Sequence, residues 1–417
     1  MHSATQRNNG DLFIDQVALS TIAKQFGTPC YVYSKKAIEQ NFIAYKNALS
    51  DQPHLICYAV KSNSNIAVLQ TLAALGAGFD IVSVGELERV LLAGGNPANV
   101  VFSGLAKSSF EMRRALQVGI HCFNVESESE LALLNETAAE LSLQAPVSMR
   151  VNPDVDANTH PYISTGLKED KFGIAFDTAI DVYKQASQMS NINLIGIDCH
   201  IGSQLTEIQP FVDATERLLV MVDQLSELGI QLNHIDIGGG LGVRYHDEQV
   251  LTVDALMKEL LPLFSERSEL LVLEPGRSMT ANAGILLTQV QYLKSNDHKN
   301  FAVVDAAMND MLRPSLYGAW MDIQPITTNN NPERQYDVVG PVCESGDFLG
   351  KDRKLSIAEG DYLCLFGAGA YGFVMSSNYN SRPRVAEIMV ADNEAHVVRA
   401  RENFEDLIKG EQGLPVK

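Results

Sequence analysis

An alternation of short apolar runs with longer amphipathic segments fills the chain from residue 54 to residue 274. Eight runs have glycine or a polar residue at or next to their ends: HLICYAVK, GFDIVS, VVFSG, IHCFNVES, VSMRVNP, LIGIDCHIGS, HIDIGGG and LLVLEPG. Segments between them, such as NIAVLQTLAALG and SSFEMRRALQVG, repeat apolar residues at spacings of three and four, which is typical of helices. Apolar strands that alternate with helices indicate a parallel sheet buried on both faces. Eight such units predict a closed (β/α)8 TIM barrel, with a doubly wound open sheet as the alternative.

The region after residue 275 contains strands without long helices between them. These strands are AGILLTQVQYL, NFAVVDAA, QYDVVGP, DYLCLF, RVAEIMVA and AHVVRA. Consecutive strands of this kind predict an antiparallel β domain. We therefore expect a barrel over residues 30–275 and a C-terminal β domain over residues 276–417. The N-terminal segment 1–29 is expected to join the β domain because DLFIDQVAL has strand character, and MDIQPITTNNNPERQ is predicted to be a surface loop.

Composition and charge exclude several classes of protein. The 417 residues carry 32 Lys and Arg against 51 Asp and Glu, a formal charge of −19, which disfavours nucleic acid and anionic membranes as partners. The first thirty residues show no secretory signal, and no stretch approaches the roughly 18 apolar residues of a membrane helix. Six cysteines are scattered with no CxxC pair and no metal-like spacing to histidine. We expect a cytoplasmic protein without a metal.

Polar residues follow the predicted barrel strands, at the face that carries the chemistry in such barrels. Lys61 follows the apolar run ICYAV, where desolvation favours the free amine that a Schiff base requires, although most lysines are simply solvated. The glycines at 238–240 offer backbone N–H groups for a phosphate, but a tight turn explains them equally well. Glu274 is placed to pair with a pyridinium nitrogen, or with an arginine. Together these residues predict a phosphorylated aldehyde cofactor.

Two further features have ordinary alternatives. His200 follows an apolar strand, where a histidine is more often a core residue than a ring that stacks on a cofactor. GAGAYG, residues 367–372, formally matches the dinucleotide pattern GxGxxG. The following residues, FVMSSNYNSRPR, do not predict the helix that this pattern requires, so we reject a nicotinamide cofactor.

Seven motifs in one order carry a resemblance to a known family: YAVKSN, FDIVSVGEL, HIGSQ, DIGGGLG, EPGR, CESGD and GAYG. From about residue 28 to residue 400 the chain resembles the fold-type III pyridoxal-phosphate-dependent decarboxylases, which have a barrel of the alanine-racemase type. The elements HPYISTG, KFGI and MRVNPDV look like the diaminopimelate branch rather than the ornithine or arginine branches. The resemblance implies decarboxylation of meso-2,6-diaminopimelate to L-lysine and carbon dioxide, the last step of lysine biosynthesis.

The resemblance also implies roles for individual residues around the cofactor. Lys61 would carry pyridoxal phosphate through its amine, Glu274 would face the pyridine nitrogen, and His200 would stack on the ring. Asp80 lies near the cofactor in relatives. The whole set implied to bind the cofactor is Lys61, Asp80, His200, Ser203, Gly239, Gly240, Glu274, Gly276, Arg277 and Tyr371.

A second set of residues is implied to act on the substrate. In relatives the β domain of one subunit completes the barrel of the other, so a homodimer is expected. Cys343 would then be the catalytic proton donor, although without its context an inert thiol is the more common case. Arg313 would select a second carboxylate, with a surface salt bridge as its alternative. The implied substrate-binding set is Arg277, Arg313, Tyr317, Glu344 and Tyr371.

Three alternatives remain open on the same scaffold. One keeps the cofactor and decarboxylates arginine, ornithine or carboxynorspermidine instead. A second is a protein that binds the cofactor without turnover, and CESGD, EPGR and GAYG argue against it. The third is a racemase, which would exchange the α-hydrogen without releasing gas.

Overall fold

The structure is a computed structural model that describes residues 4–155 and 171–415. Contacts divide the chain into two compact units. One is drawn from residues 38–243 and 248–279, and the other from residues 1–37, 244–247 and 280–417. The motif HPYISTG, residues 160–166, lies outside the described residues.

The first elements form a small sheet, one helix and one strand of a larger sheet. Strands β1 (Thr5–Asn8), β2 (Asp11–Ile14) and β3 (Val17–Ala18) pair in sequence, and α1 (Leu19–Phe26) and β4 (Cys30–Ser34) follow. The segment DLFIDQVAL therefore supplies strands to a separate small sheet. The buried strand β4 pairs with later strands of the same unit, between Cys30 and Ser34.

The barrel is a closed ring of eight parallel strands. Its strands, with a short additional one, are β5 (His54–Ala59), β6 (Gly78–Ile81), β7 (Val100–Phe102), β8 (Cys122–Val125), β9 (Ala145–Asn152), β10 (Ile174–Ala175), β11 (Ile192–Asp198), β12 (His234–Asp236) and β13 (Leu270–Leu273). The order runs β5-β6-β7-β8-β9-β11-β12-β13 and returns to β5, while β10 pairs only with β9. The predicted (β/α)8 barrel is confirmed, and the alternative of an open sheet is wrong.

Helices alternate with the barrel strands as the apolar periodicity predicts. They are α2 (Lys35–Leu49), α3 (Ile66–Ala74), α4 (Val84–Leu92), α5 (Ser109–Val118), α6 (Glu128–Glu140), α7 (Phe176–Ala186), α8 (Gln209–Glu227), α9 (Val253–Leu260) and α10 (Arg277–Thr280). Local sequence sets their ends: Ser108 and Glu111 form a capping box before α5, and Gly119 ends it with a φ of 71°. None of the helices in the described part of the chain is long and apolar enough to cross a membrane.

An apolar layer fills part of the barrel interior. Cys57, Val101, Cys122 and Val272 are fully buried there, and Leu55, Ile195 and Leu270 pack against them. Because side chains alternate along a strand, the inward positions two residues further along carry the next layer. At Ser103, Asn124 and Glu274, two residues beyond Val101, Cys122 and Val272, that next layer is polar, which positions polar groups toward the carboxyl ends of the strands.

The other unit is built on a second large sheet. Its strands are β14 (Gly284–Ser295), β15 (Asn300–Val304), β16 (Ile323–Pro325), β17 (Arg334–Val339), β18 (Phe348–Leu355), β19 (Tyr362–Leu365), β20 (Ala386–Ala391) and β21 (Glu394–Arg399), with helices α11 (Arg313–Tyr317) and α12 (Phe404–Leu407). The path runs β18-β17-β15-β14-β4-β20-β21, and β19 pairs with β14 and β16. Only the pairs β15–β17 and β4–β20 are parallel in the described sheet.

The predicted antiparallel character of this sheet is confirmed, but one predicted loop is partly wrong. Residues Ile323–Pro325 of MDIQPITTNNNPERQ form β16, which pairs with β19. The Asn-rich composition of the flanking residues concealed this short strand, because three residues are too few to show an alternation.

Candidate active site

Lys61 lies just after β5 and forms an ion pair with Asp80 of β6. The lysine ammonium donates to one oxygen of the Asp80 carboxylate. Ala59 lies opposite Asp80 in the parallel pair of strands, so a lysine two residues beyond Ala59 reaches across the end of the neighbouring strand. The Asp80 side chain is fully buried, whereas 35% of the Lys61 side chain remains exposed. The two predicted residues are therefore in contact, and the amine remains accessible.

Three buried carboxyl groups lie at the ends of β11, β12 and β13. Oxygens of Asp198, Asp236 and Glu274 lie within 4.8 Å of one another. Burial raises the pKa of Glu274 well above its usual value, and neighbouring Asp236 raises it further. Burial raises the pKa of Asp236 to about 7, although the Gly238 N–H, which donates to it at 2.8 Å, opposes this shift. The three groups therefore retain protons where isolated carboxyls would have lost them.

This part of the barrel contains several buried carboxyl oxygens. Glu274 Oε1 accepts hydrogen bonds from Ser103 Oγ at 3.4 Å and from Asn124 Nδ2 at 3.2 Å. Among the described residues, one buried carboxyl oxygen of each of Asp80, Asp198 and Asp236 has no hydrogen-bond partner. A buried acceptor without a donor costs about 1–3 kcal/mol. The site is therefore suited to a positively charged group that carries an N–H.

His200 is held next to the triple glycine as a neutral imidazole. The Gly239 N–H donates to His200 Nδ1 at 3.2 Å, so this nitrogen carries no proton. Burial lowers the pKa of His200 well below its usual value, and the cations Arg150 and Lys61 lower it further. A Cβ atom on residue 239 would lie 2.2 Å from the Glu274 carbonyl oxygen, so only glycine fits between these strand ends. Lys61, His200, Gly239 and Glu274 are thus brought together.

Arg277 lies at the start of α10 and points to Ser203. Its Nε and one terminal nitrogen donate to Ser203 Oγ at 3.2 and 2.9 Å. The arginine is 8% exposed, so its charge is largely removed from bulk water. Gly240 approaches the same loop, because a Cβ built on it would lie 2.6 Å from the Gly202 carbonyl oxygen. Gly276 immediately precedes Arg277 and packs against Ser62. These groups form a cationic, hydroxyl-bearing corner suited to an anion such as phosphate.

The remaining predicted residues lie in the other unit. Arg313 and Tyr317 begin and end α11, one helical turn apart. The Arg313 guanidinium lies over the ring of Tyr245 at 4.2 Å and donates to Met321 Sδ at 3.6 Å. Arg313 is 6% exposed, so the alternative of a surface salt bridge for it is wrong. Tyr371 is half-buried and adopts a φ of +53°.

Cys343 and Glu344 are exposed in the described chain and are oriented by one neighbouring turn. The Cys343 N–H donates to Asn380 Oδ1 at 2.9 Å, and Tyr379 donates to Glu344 Oε2 at 2.8 Å. Asn380 has a left-handed φ of +57°, which asparagine tolerates better than most residues. The exposed thiol of Cys343 contrasts with the other five cysteines, all of which are buried.

Several site residues escaped the sequence analysis. Asp198 and Asp236 each interrupt an apolar strand run, which is a signal that an inward polar group is present. Ser103 and Asn124 interrupt two other runs in the same way. Tyr379 and Asn380 carry no comparable signal, since their contact with the segment 343–344 depends on a fold that joins distant parts of the chain.

Residues 35–281 match the family model described as pyridoxal-dependent decarboxylase, pyridoxal binding domain. The chain belongs to this family. The match spans the barrel and includes the lysine, the triple glycine and Glu274. Pyridoxal phosphate is the cofactor of these decarboxylases, which are carboxy-lyases.

Curated relatives of this pyridoxal-dependent decarboxylase extend over nearly its whole length. The chain is 60% identical to the diaminopimelate decarboxylase of Pseudomonas aeruginosa over 407 residues, which cover 98% of each chain. It is 56% identical to the diaminopimelate decarboxylase of Vibrio cholerae over 410 residues, again 98% of each. The relationship therefore includes the β unit as well as the barrel.

Solved structures of related proteins also match nearly the whole chain. The diaminopimelate decarboxylase of M. jannaschii in co-complex with L-lysine has a TM-score of 0.94 and 38% identity, with 99% of each chain covered. That of Helicobacter pylori complexed with L-lysine has a TM-score of 0.91 and 42% identity, with 94% of this chain and 98% of that chain covered.

The barrel residues fit the family's cofactor. The buried carboxyl groups at Glu274 and its neighbours suit a protonated ring nitrogen, and the corner formed by Arg277 and Ser203 suits a phosphate. Lys61 is the amine at the same strand ends, and its charge acts on Glu274 and on His200. The donors and acceptors of this site therefore match both ends of pyridoxal phosphate.

Proposed function

We propose that this chain decarboxylates meso-2,6-diaminopimelate to L-lysine and carbon dioxide, the last step of lysine biosynthesis by the diaminopimelate pathway. Curated relatives of that name share up to 60% identity over nearly the full length. The observation that carries the proposal is the arrangement at the barrel strand ends, where an accessible amine, a buried acid and an arginine lie together. We further propose a cytoplasmic homodimer in which a barrel domain, residues 30–275, works with a β domain, residues 276–417 joined by 1–29.

Lys61 is proposed to hold the cofactor and to exchange it for the substrate amine. When bound, pyridoxal phosphate supplies an electron sink for the bond between the α-carbon and its carboxylate. The ion pair with Asp80 fixes the direction of the Lys61 amine and gives its proton an acceptor. The buried carboxylate would thus take part in proton movement at this nitrogen without contacting the substrate carboxylate.

Glu274 is proposed to keep a proton on the ring nitrogen of the cofactor. A carboxylate that faces a cationic N–H makes a charge-assisted hydrogen bond, which is stronger than a neutral one. Ser103 and Asn124 hold one oxygen of Glu274 by hydrogen bonds and so orient the carboxyl group. Asp236 supplies further negative potential from the adjacent strand.

Two other groups are proposed to orient the cofactor. His200 is neutral and is held by the Gly239 N–H, and its flat ring is proposed to stack on the cofactor ring without a competing charge. The phosphate is proposed to bind Ser203, Gly239, Gly240, Gly276 and Arg277, together with Tyr371.

Substrate choice is proposed to depend on recognition of a second carboxylate. The Arg313 guanidinium presents a rigid fork that matches a carboxylate, with Tyr317 one turn away on the same helix. Arg277 and Tyr371 complete the proposed substrate set, and Glu344 is proposed to receive the distal amine. Ornithine and lysine lack the second carboxylate, whereas diaminopimelate has it.

Cys343 is proposed to deliver the proton that replaces the lost carboxylate. A thiol that serves as a proton donor must reach the reacting carbon, and Cys343 is exposed in the single chain. We propose that Cys343 and Glu344 of one subunit act in the barrel of its partner. Asn380 and Tyr379 would then position them by the hydrogen bonds described above.

Release of carbon dioxide from a panel of amino acids tests the proposed activity. The panel contains meso-2,6-diaminopimelate, ornithine, lysine, arginine and carboxynorspermidine. We expect kcat/KM for diaminopimelate to exceed the others by at least about a hundredfold, since a charged hydrogen bond contributes about 1.5–3 kcal/mol and the site would lose more than one. Faster release from an acid with one carboxylate would contradict the proposal. A coloured protein without gas release would indicate a cofactor binder, and α-hydrogen exchange alone a racemase.

A further inference from the structure

A second cluster of ligand-type side chains lies at the amino-terminal end of the barrel strands. His121 directly precedes β8, Cys122 is its first residue, and His234 is the first residue of β12. One ligand atom from each of the three lies within 4.8 Å of the other two. Two such close groups occur among residues 4–155 and 171–415, and this is the one with sulfur. Lys61 and Glu274 follow the opposite ends of their strands, so this cluster is separate from the proposed active site.

The two imidazoles have nitrogen atoms with no use in the fold. His121 Nε2 and His234 Nδ1 are buried and have no hydrogen-bond partner in the part of the chain that the structure describes. His234 is only 1% exposed, and its unpaired nitrogen carries a desolvation cost that an apolar side chain would avoid. The His234 ring packs directly against the backbone at residue 196, which is glycine. A Cβ there would lie 2.1 Å from His234 Nε2.

The geometry of the three side chains is close to that of a metal site. Cys122 Sγ lies 3.9 Å from His234 Nε2, and its other contact, with Asn124 Oδ1, is long at 3.6 Å. The His121 ring interacts with the backbone of Ala98. Metal-bound histidines commonly donate their second ring N–H to a backbone carbonyl, which fixes the ring. Tetrahedral zinc places its nitrogen and sulfur ligands roughly 3.3–3.6 Å apart, so the farthest atoms would close by about 1 Å.

We propose that His121, Cys122 and His234 form a binding site for a thiophilic divalent cation of the zinc class. Two imidazoles and one thiol are the ligand types that zinc prefers over magnesium or calcium. A water completes the tetrahedral shell. β8 and β12 are not neighbours in the ring, because β9 and β11 lie between them. The cation therefore links two separated strands and stabilises the native barrel.

Sequence spacing could not reveal this site, since 112 residues separate Cys122 from His234.

The test uses the holoenzyme of a Cys343→Ala variant, which removes the exposed thiol as a rival ligand. One equivalent of Zn²⁺ is added, and X-ray absorption at the zinc edge is measured because the cofactor does not contribute to it. We expect one sulfur at about 2.3 Å and nitrogens at about 2.0 Å. A zinc shell of oxygen atoms alone, as the acids Asp198, Asp236 and Glu274 would provide, overturns the proposal.

Variants in this background assign the ligands. Cys122→Ser should remove the sulfur signal, and Cys57→Ser, a change of a second buried thiol in the same apolar layer, should keep it. His121→Gln changes a half-buried ligand, so this variant still tests zinc binding if the Cys122 variant misfolds. It should weaken zinc binding by more than the roughly 10–100-fold that loss of an outer-shell partner causes. Zn²⁺ should also raise the thermal midpoint of the parent by several degrees and leave that of His121→Gln unchanged. Equal shifts in both proteins overturn the proposal.

Discussion

The candidate site residues of the barrel and those of the β unit differ in how they are held. In the barrel, Asp80 and Glu274 are buried, and burial together with neighbouring carboxyl groups raises the pKa of Glu274. In the β unit, Cys343 and Glu344 are exposed and depend on single hydrogen bonds from one turn. The barrel therefore provides electrostatics that are fixed before any ligand arrives, whereas the exposed pair provides groups that gain their function in contact with something else.

The difference indicates a division of labour. Groups that tune proton affinity need a low dielectric and rigid neighbours, which strand ends in a closed barrel supply. Groups that recognise a particular substrate are found on segments that vary more easily between relatives. Changes at Lys61 or Glu274 in the barrel should thus abolish the reaction, while a change at Arg313 in the β unit should alter its selectivity.

Lys61→Ala should give the largest effect and tests the barrel half of the comparison. Loss of the only proposed attachment amine should lower kcat by at least about a thousandfold, since a positioned nucleophile or base contributes at this level. Borohydride reduction and peptide mass analysis of the wild-type holoenzyme should find a pyridoxyl group on Lys61. Lys258→Ala, an exposed lysine of α9, is the matched control and should keep full activity. An adduct on another lysine would remove the basis of the proposed site.

Asp236→Asn should reveal the cost of burying three carboxyl groups. Asp236 has a folded pKa of about 7, raised by burial from about 3.8. The folded chain therefore binds a proton that the unfolded chain has lost. The contribution of this proton to the free energy of unfolding is fully present below about pH 4 and is lost as the pH rises toward 7. Asparagine keeps an oxygen for the Gly238 N–H but cannot ionise. In the protein prepared without cofactor, it should recover up to roughly 4 kcal/mol of unfolding free energy at neutral pH.

Urea unfolding of both proteins at a series of pH values measures this difference. The difference in the free energy of unfolding between variant and wild type should be small near pH 4 and should increase toward neutral pH. Asp254→Asn, an exposed acid of α9, serves as control and should show no such trend. A constant gap across the range would mean that Asp236 ionises as an ordinary carboxyl.

The extent to which the sequence predicted these features follows from how local each signal is. The eight barrel strands were predictable because apolar runs and amphipathic helices leave a periodic pattern, and Lys61 and Glu274 lie where those runs end. Strand β4 was not recognised, since its pairing with β14 and β20 depends on residues far away in the chain. Tyr379 escaped for the same reason. The proton sharing around Asp236 depends on distances between three strands, which no single segment encodes.

Arg313→Ala should have an intermediate effect and tests the β unit. Removal of one guanidinium that binds a carboxylate should lower kcat/KM for diaminopimelate by about 10–100-fold, from about 1.5–3 kcal/mol of charged hydrogen bonding. Release of carbon dioxide from lysine should change little, so the preference for the dicarboxylate should shrink. Arg384→Ala, which removes an arginine paired with Glu402 in the same unit, controls for general damage. Unchanged selectivity in the Arg313 variant would contradict its assigned role.

Glu402→Gln should give the smallest effect, with a pH dependence opposite in sign to that of Asp236. Burial disfavours the Glu402 carboxylate, but hydrogen bonds from the Arg384 side chain and backbone and from Asn378 outweigh it and lower the pKa to about 2. A depressed pKa stabilises the fold above about pH 4.5, and this contribution is lost as the pH falls toward 2. Because Arg384 is partly exposed, the loss in Glu402→Gln should be under about 1 kcal/mol at neutral pH.

The pH dependence of stability in the Asp236 and Glu402 variants compares the barrel with the β unit directly. In urea unfolding, Glu402→Gln should have a lower free energy of unfolding than the wild type at neutral pH, and this difference should disappear in acid. The control Glu411→Gln, which changes an exposed acid, should not differ from the wild type at either pH. The free energy of unfolding that Asp236→Asn gains over the wild type should instead increase from pH 4 to pH 7. If both variants followed the same trend, buried acids in the barrel and paired acids in the β unit would not differ in kind. Opposite trends would show that the barrel holds its carboxyl groups at a cost to stability, which a cationic ligand at the same strand ends would offset.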